Sequence, residues 1–184
     1  MSSFCFFTGA NKGTLVLIKT GARLPGDSIS DKYLRLAELV RSSTDFSVLV
    51  QLTIQSTPVH QSMEELMEAA RELAPEADRI YYIGISKGAS IGAIQAFKYP
   101  SIVGMLLVNP TLMINWLKIK RGLELFSSGR ISILIGKQDP SINLIGFLEV
   151  VDNRNLEVLV EKGQGHSLEE ECLKDAVIRY LNIM

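Results

Sequence analysis

Residues 84–88 read Gly84-Ile85-Ser86-Lys87-Gly88, a G-x-S-x-G pentapeptide. Its context carries the meaning. An apolar run, 79–85, precedes the serine directly, and a small-residue helical pattern, 87–97, follows it. A serine squeezed between strand and helix sits on a tight turn, where the flanking glycines lack the Cβ atoms that would collide. The turn lifts the hydroxyl clear of a sheet and lays a helix N-terminus beside it, where backbone N–H groups can receive a developing oxyanion. The chemistry implied is attack by Ser86 on a carbonyl carbon. A phosphate cradle is disfavoured, because the G-x-x-x-x-G-K-[ST] order is absent. A glycine-rich turn that merely contains a serine is the bland alternative, and such turns seldom fall between a strand and a helix.

A serine hydroxyl needs a base that works near neutral pH, and imidazole is the usual one. The chain has two histidines, His60 and His166. His166 ends Gly163-Gln164-Gly165-His166, after the strand pattern 156–160 and before a C-terminal helical pattern. His60 follows Ser56-Thr57-Pro58-Val59, which reads as an ordinary surface loop. The base in turn needs an acceptor that fixes its tautomer. Asp139 fits, in Gly136-Lys137-Gln138-Asp139-Pro140 directly after the strand pattern 131–135. Asp152 is the weaker candidate, because it precedes the strand 156–160 and belongs near the opposite edge of a sheet. The loop after 103–108 offers Asn109 and Pro110 but no carboxylate.

These residues require elements that bring three loops together. Apolar runs at 3–7, 14–19, 46–54, 79–85, 103–108, 131–135 and 156–160 read as strands. Helical periodicity at 31–41 places Tyr33, Leu36, Ala37 and Val40 on one face. Ser62 with Glu65, and Ser167 with Glu170, read as capping boxes opening two further helices, the first stopped by Pro75. Strands and helices alternate, and the strands are near-continuously apolar. The fold class expected is therefore α/β: a mainly parallel central sheet of about six or seven strands, with helices on both faces. Ligands bind such sheets outside the carboxyl ends of the strands. Ser86, Asp139 and His166 all fall just after a strand.

The order Ser, Asp, His, each after a successive strand, resembles the α/β-hydrolase family. The pieces that carry the resemblance are the elbow at 84–88, the G-x-x-D loop at 136–139 and the G-x-G-H loop at 163–166. The likeness extends from the strand at 14–19 to the last helix. It implies a serine hydrolase with Ser86 as nucleophile, Asp139 as acid and His166 as base. It also implies an oxyanion hole formed by the N–H of Lys87 and by the loop Thr20-Gly21-Ala22, with Ala22 the expected donor and Gly21 the small neighbour. The chain departs from the family in having Thr20-Gly21 where many members have His-Gly, in a trimmed N-terminal sheet edge, and in the absence of a large lid.

The reaction expected is cleavage of a carboxylic ester of a small acyl substrate through an acyl-serine intermediate, without metal or organic cofactor. A thioester or peptide bond would use the same machinery. A non-catalytic binding module on a hydrolase scaffold is the reading from another class. Apolar residues make up 47% of the 184-residue chain and charged residues 21%, enough for a core and against disorder. With a formal net charge of −1 and no basic stripe, a nucleic-acid partner is not expected. No apolar run approaches the ~20 residues that span a bilayer, and the first residues do not read as a signal peptide. Cys5 and Cys172 have no CxxC partner and read as small buried hydrophobes, consistent with a reducing, cytoplasmic setting. A single domain over 1–184 is the simplest organisation. Leu112, Met113, Trp116, Leu117, Leu123, Leu125 and Phe126, between the fifth and sixth strands, read as packing residues rather than an acyl pocket. Arg23 reads as an exposed loop cation within reach of an anionic substrate group.

Overall fold

The computed structural model describes residues 5–9, 13–113 and 115–182. Seven strands form one sheet: β1 (Cys5–Thr8), β2 (Thr14–Arg23), β3 (Ser47–Ile54), β4 (Arg79–Ile85), β5 (Ile102–Val108), β6 (Arg130–Gly136) and β7 (Leu156–Glu161). The strand order is β1-β3-β2-β4-β5-β6-β7. Only β1 runs antiparallel, pairing Phe6 with Val50 at the sheet edge. Residues 3 and 4, part of the first strand expected, lie outside the described residues. Among the described residues, six α-helices complete the fold: α1 (Asp31–Thr44), α2 (Val59–Leu73), α3 (Lys87–Gln95), α4 (Trp116–Leu125), α5 (Ile145–Leu148) and α6 (Glu170–Asn182).

The central strands are apolar on both faces because both faces are covered. Leu15, Leu17, Leu49, Tyr82, Leu107 and Ile133 pack toward α2, α3 and α4. Their alternates Val16, Ile18, Val50, Ile83, Leu106 and Leu134 pack toward α1 and α6. The two sets follow the period of two that strand geometry imposes. No described helix is long and apolar enough to cross a membrane.

Several expected boundaries move. β2 does not end at Lys19 but runs on to Arg23, with its register against β3 shifting between Lys19 and Ala22. Thr20 makes that bulge tolerable. Its hydroxyl accepts the Thr53 N–H at 3.1 Å, and its carbonyl accepts the Thr53 hydroxyl at 2.6 Å. A side chain thus replaces a lost ladder bond. α2 begins one turn before Ser62, directly after Pro58, which takes the N-cap; Ser62 is buried inside the helix rather than capping it. His60 accordingly lies in the first turn of α2, exposed, and not in a loop. α6 begins at Glu170, so Ser167 lies outside it and forms no capping box. The Gln164 side chain accepts the Glu169 N–H at 2.8 Å there instead. Cys5 and Cys172 are free and half-buried. Of the segment between β5 and β6, Leu112, Leu123 and Phe126 are buried as expected, whereas Met113, Leu117 and Leu125 are exposed.

Candidate active site

Ser86 stands between β4 and α3 with φ 52° and ψ −114°, a left-handed conformation that side chains rarely adopt. Such a residue stores about 1–3 kcal/mol of strain, which the surroundings must over-determine. Here they do. The Ser86 N–H donates to the Val108 carbonyl at 2.8 Å, and its carbonyl accepts the Ser90 N–H at 3.1 Å. The flanking glycines admit the turn. A Cβ on Gly84 would stand 2.6 Å from Ala89 Cα, and one on Gly88 would stand 2.3 Å from the Lys19 carbonyl oxygen. Beneath the turn, the buried Tyr82 hydroxyl donates to the Gly88 carbonyl at 2.6 Å and fixes the first turn of α3.

The three loops at this edge of the sheet converge. Ser86 Oγ lies 2.9 Å from His166 Nε2, and His166 Nδ1 lies 2.5 Å from Asp139 Oδ2. The Asp139 carboxylate is fully buried, while the imidazole is half-exposed. A carboxylate can only accept, so Nδ1 carries the ring proton and Nε2 presents a lone pair to the serine hydroxyl. Asp139 is held by its second oxygen, which accepts the Ser141 N–H at 2.6 Å, and Pro140 starts the short 3-10 turn that supplies that donor. Asp152, in contrast, lies before β7, where its N–H meets the Glu124 side chain at 3.4 Å. His60 does not line the cavity at Ser86.

Asn109 was visible in the sequence only as a polar residue without a carboxylate, yet it organises the site. It is fully buried, with φ 45°. Its Nδ2 donates to the Gly165 carbonyl at 3.0 Å and to the His166 carbonyl at 2.7 Å. Its Oδ1 accepts the Gly136 N–H at 2.8 Å. One amide therefore ties β5 to both the acid loop and the base loop. Gly136 permits the approach, since a Cβ there would lie 2.6 Å from the Gln164 and Gly165 carbonyl oxygens. The Gln138 N–H then donates to the Gln164 carbonyl at 2.8 Å. The signal available in the sequence was an asparagine directly after an apolar strand, a side-chain type that adopts positive φ more readily than most.

A cavity of about 240 Å³ opens at Ser86. Gly21, Ala22 and Arg23 of β2, Lys32 and Tyr33 of α1, and Leu168 line it, together with Ser86 and His166. Gly21 sits against the serine: a Cβ there would stand 3.5 Å from Ser86 Cβ. Burial pushes the Tyr33 hydroxyl up in pKa, opposed by the Arg23 charge and by the Gly21 amide that faces it. The Lys87 side chain is drawn away from the cavity, donating to the Gln55 carbonyl at 2.6 Å and the Ile54 carbonyl at 3.2 Å.

No family model and no curated protein matches this chain. Solved structures do match it in shape. Est1E from Butyrivibrio proteoclasticus superposes with a TM-score of 0.77 at 14% identity, over 96% of this chain and 92% of its own. A structure from LipS and LipT, two metagenome-derived lipolytic enzymes, gives 0.76 at 14% identity, over 99% and 98%. An alpha-beta serine hydrolase homologue from Coxiella burnetii gives 0.71 at 15% identity, over 96% and 90%. With the nearly parallel sheet, the strand-to-helix serine turn and the coverage of whole chains, these likenesses show that the chain has the α/β-hydrolase fold, trimmed to seven strands.

Proposed function

We propose that this chain is a serine hydrolase that cleaves carboxylic esters of small acyl groups through an acyl-Ser86 intermediate. The observation that carries the reading is the continuous relay from Asp139 through His166 to a strained Ser86, at 2.5 and 2.9 Å. Ser86 Oγ attacks the ester carbon as its proton passes to His166 Nε2. The tetrahedral intermediate collapses, and the leaving alkoxide takes that proton. Water then attacks the acyl-serine with His166 again as base, releasing the acid and restoring the hydroxyl. Asp139 supports the imidazolium that forms in each half.

Two amides are suited to the oxyanion. The Lys87 N–H belongs to the first residue of α3 and is one of the orphan donors of a helix start. Ala22 is the second. The Arg23 carbonyl accepts the Gln55 N–H at 2.8 Å, on the β3 side. Successive residues of a strand direct their polar groups to opposite sides, so the Ala22 N–H is directed toward Ser86. Gly21 contributes the space. The cavity of about 240 Å³ suits a short acyl chain, and among the described residues only α4 and its flanking loops stand where a lid would enter.

The test is labelling with a fluorophosphonate, followed by turnover of 4-nitrophenyl acetate, butyrate and octanoate. Stoichiometric labelling at Ser86, lost in Ser86→Ala and His166→Ala, with turnover best on the short esters, is the expected result. A folded chain that neither labels nor turns over any ester is a binding module, and the reading fails.

A further inference from the structure

The cavity at Ser86 is one-sided in charge. Among its lining residues are two cations, Arg23 and Lys32, and no carboxylate. Arg23 ends β2 next to Ala22, is exposed, and has no ion-pair or side-chain hydrogen-bond partner among the described residues. Lys32 reaches the Leu168 carbonyl with one N–H, leaving two others. Burial lowers its pKa, while nearby Glu170 raises it in part. Glu170 is itself taken up by Arg35 at 2.7 Å and Lys174 at 2.9 Å. Two carboxylates of the neighbouring segments are Asp27, whose Oδ2 accepts the Leu24 N–H at 3.0 Å, and Asp31 in the first turn of α1. Neither lines the cavity. The apolar part of the lining is made by Ile85, Val108, Leu168 and Leu173.

We infer that the substrate's acyl group carries a carboxylate, so that the ester cleaved is a half-ester of a short dicarboxylic acid, with Arg23 and Lys32 as its counter-charges. The inference rests on the reading of Ser86 as nucleophile. The acyl side is chosen because an acyl oxygen seated on the Ala22 amide has Arg23 as its next neighbour along β2. The methylene groups then cross the apolar lining, and the leaving group departs past the half-exposed imidazole. An uncharged acyl chain would leave Arg23 without a counter-ion and Lys32 with only the shared Glu170 near it.

The experiment compares two amides of one shape, the 4-nitroanilide of succinic acid with its carboxylate free and the same anilide with that carboxylate replaced by a primary amide, a neutral group that is not an ester. Both are titrated calorimetrically into the unaltered protein, which measures binding whether or not Ser86 is a nucleophile. The free acid is expected to bind about tenfold more tightly, the scale of one or two charge-assisted contacts in a half-open site. The advantage shrinks as ionic strength rises. Arg23→Gln and Lys32→Gln each lose part of it, and Arg23→Lys keeps most of it. Equal affinities, tighter binding of the neutral diamide, or no binding of the acid at millimolar concentration overturns the inference, even if neutral esters are cleaved. A preference for the acid in a protein that cleaves no ester supports the anion-binding site and removes the hydrolase reading instead.

Discussion

Asn109 Nδ2 donates to the main-chain carbonyl of His166 at 2.7 Å, so the loop bearing the imidazole hangs from the end of β5. The same side chain holds Gly136 at the start of the acid loop. Neither contact touches the reacting atoms. Both set where the ring and the carboxylate stand relative to Ser86.

Asn109→Ala should therefore separate stability from positioning. It leaves the half-buried carbonyls of Gly165 and His166 without their donor and the buried Gly136 N–H without its acceptor, a loss of about 2–4 kcal/mol. Alanine also fits the left-handed backbone less well. Urea unfolding reads the first effect. For an ester that the parent chain cleaves, kcat should fall by about tenfold or more with KM little changed, because the substrate cavity is intact and the base is loosened. A variant that loses stability yet keeps kcat would reduce Asn109 to a packing residue.

The glycines offer a sharper contrast. Gly88→Ala places a methyl 2.3 Å from the Lys19 carbonyl oxygen and 2.6 Å from that of Thr20, both main-chain atoms that cannot yield. The variant should lose more than about 3 kcal/mol or fail to accumulate as soluble protein. Gly146→Ala meets nothing within 4 Å in α5 and should fall within about 1 kcal/mol of the parent, on the stabilising side. Thermal melts of the pair decide it. Near-equal melting points would mean that α3 does not press on β2 as described.

Much of this architecture is legible in the sequence, for a physical reason. Strands covered on both faces must be apolar throughout, so β4, β5 and β6 announce themselves, and the residues that follow them are confined to one edge. That is how Ser86 and Asp139 can be placed together, while His166 follows β7, an edge strand with Leu159 and Val160 exposed, and joins them through the alternation of strand and helix. What escapes is whatever depends on a side chain doing the work of the backbone. Thr20 completes a ladder across a bulge, so β2 continues where Thr20-Gly21 reads as a loop. Pro58 opens α2 in place of Ser62. Asn109 bridges three loops through an amide whose partners lie 27, 56 and 57 residues away. Periodicity carries no information on such contacts.

Lys19 makes stability depend on pH in a stated direction. It is 1% exposed, bound to the Gln51 side chain and, at 3.0 Å, to the Leu52 carbonyl. Burial lowers its pKa from 10.5 to about 8. Between those values the unfolded chain holds a proton that the folded chain has released, so stability rises with pH across that window. Below about pH 8 both states are charged and the penalty of the buried cation is fully present. Relative to Lys19→Met, the parent should gain about 2 kcal/mol between pH 7 and 9.5, read from urea midpoints at the two pH values. A parallel pH response in parent and variant would place the lysine in contact with water.

Asp139 is the member of the relay whose role is most open to test. Asp139→Asn keeps an oxygen for the Ser141 N–H, at present accepted at 2.6 Å, so the 3-10 turn and the fold should survive. Toward the imidazole the change is larger. An amide nitrogen facing Nδ1 donates where the carboxylate accepted, which moves the ring proton to Nε2 and leaves nothing to receive the proton of Ser86. The imidazolium also loses its counter-charge. kcat should drop by up to about 10⁴-fold with substrate affinity nearly intact. Asp152→Asn is the paired control. Asp152 lies outside the cavity and before β7, at the far edge of the sheet, and its substitution should change kcat by less than about twofold. If Asp152→Asn is crippling while Asp139→Asn is silent, the 2.5 Å contact between Asp139 and His166 has no part in turnover, and the acid must be sought elsewhere.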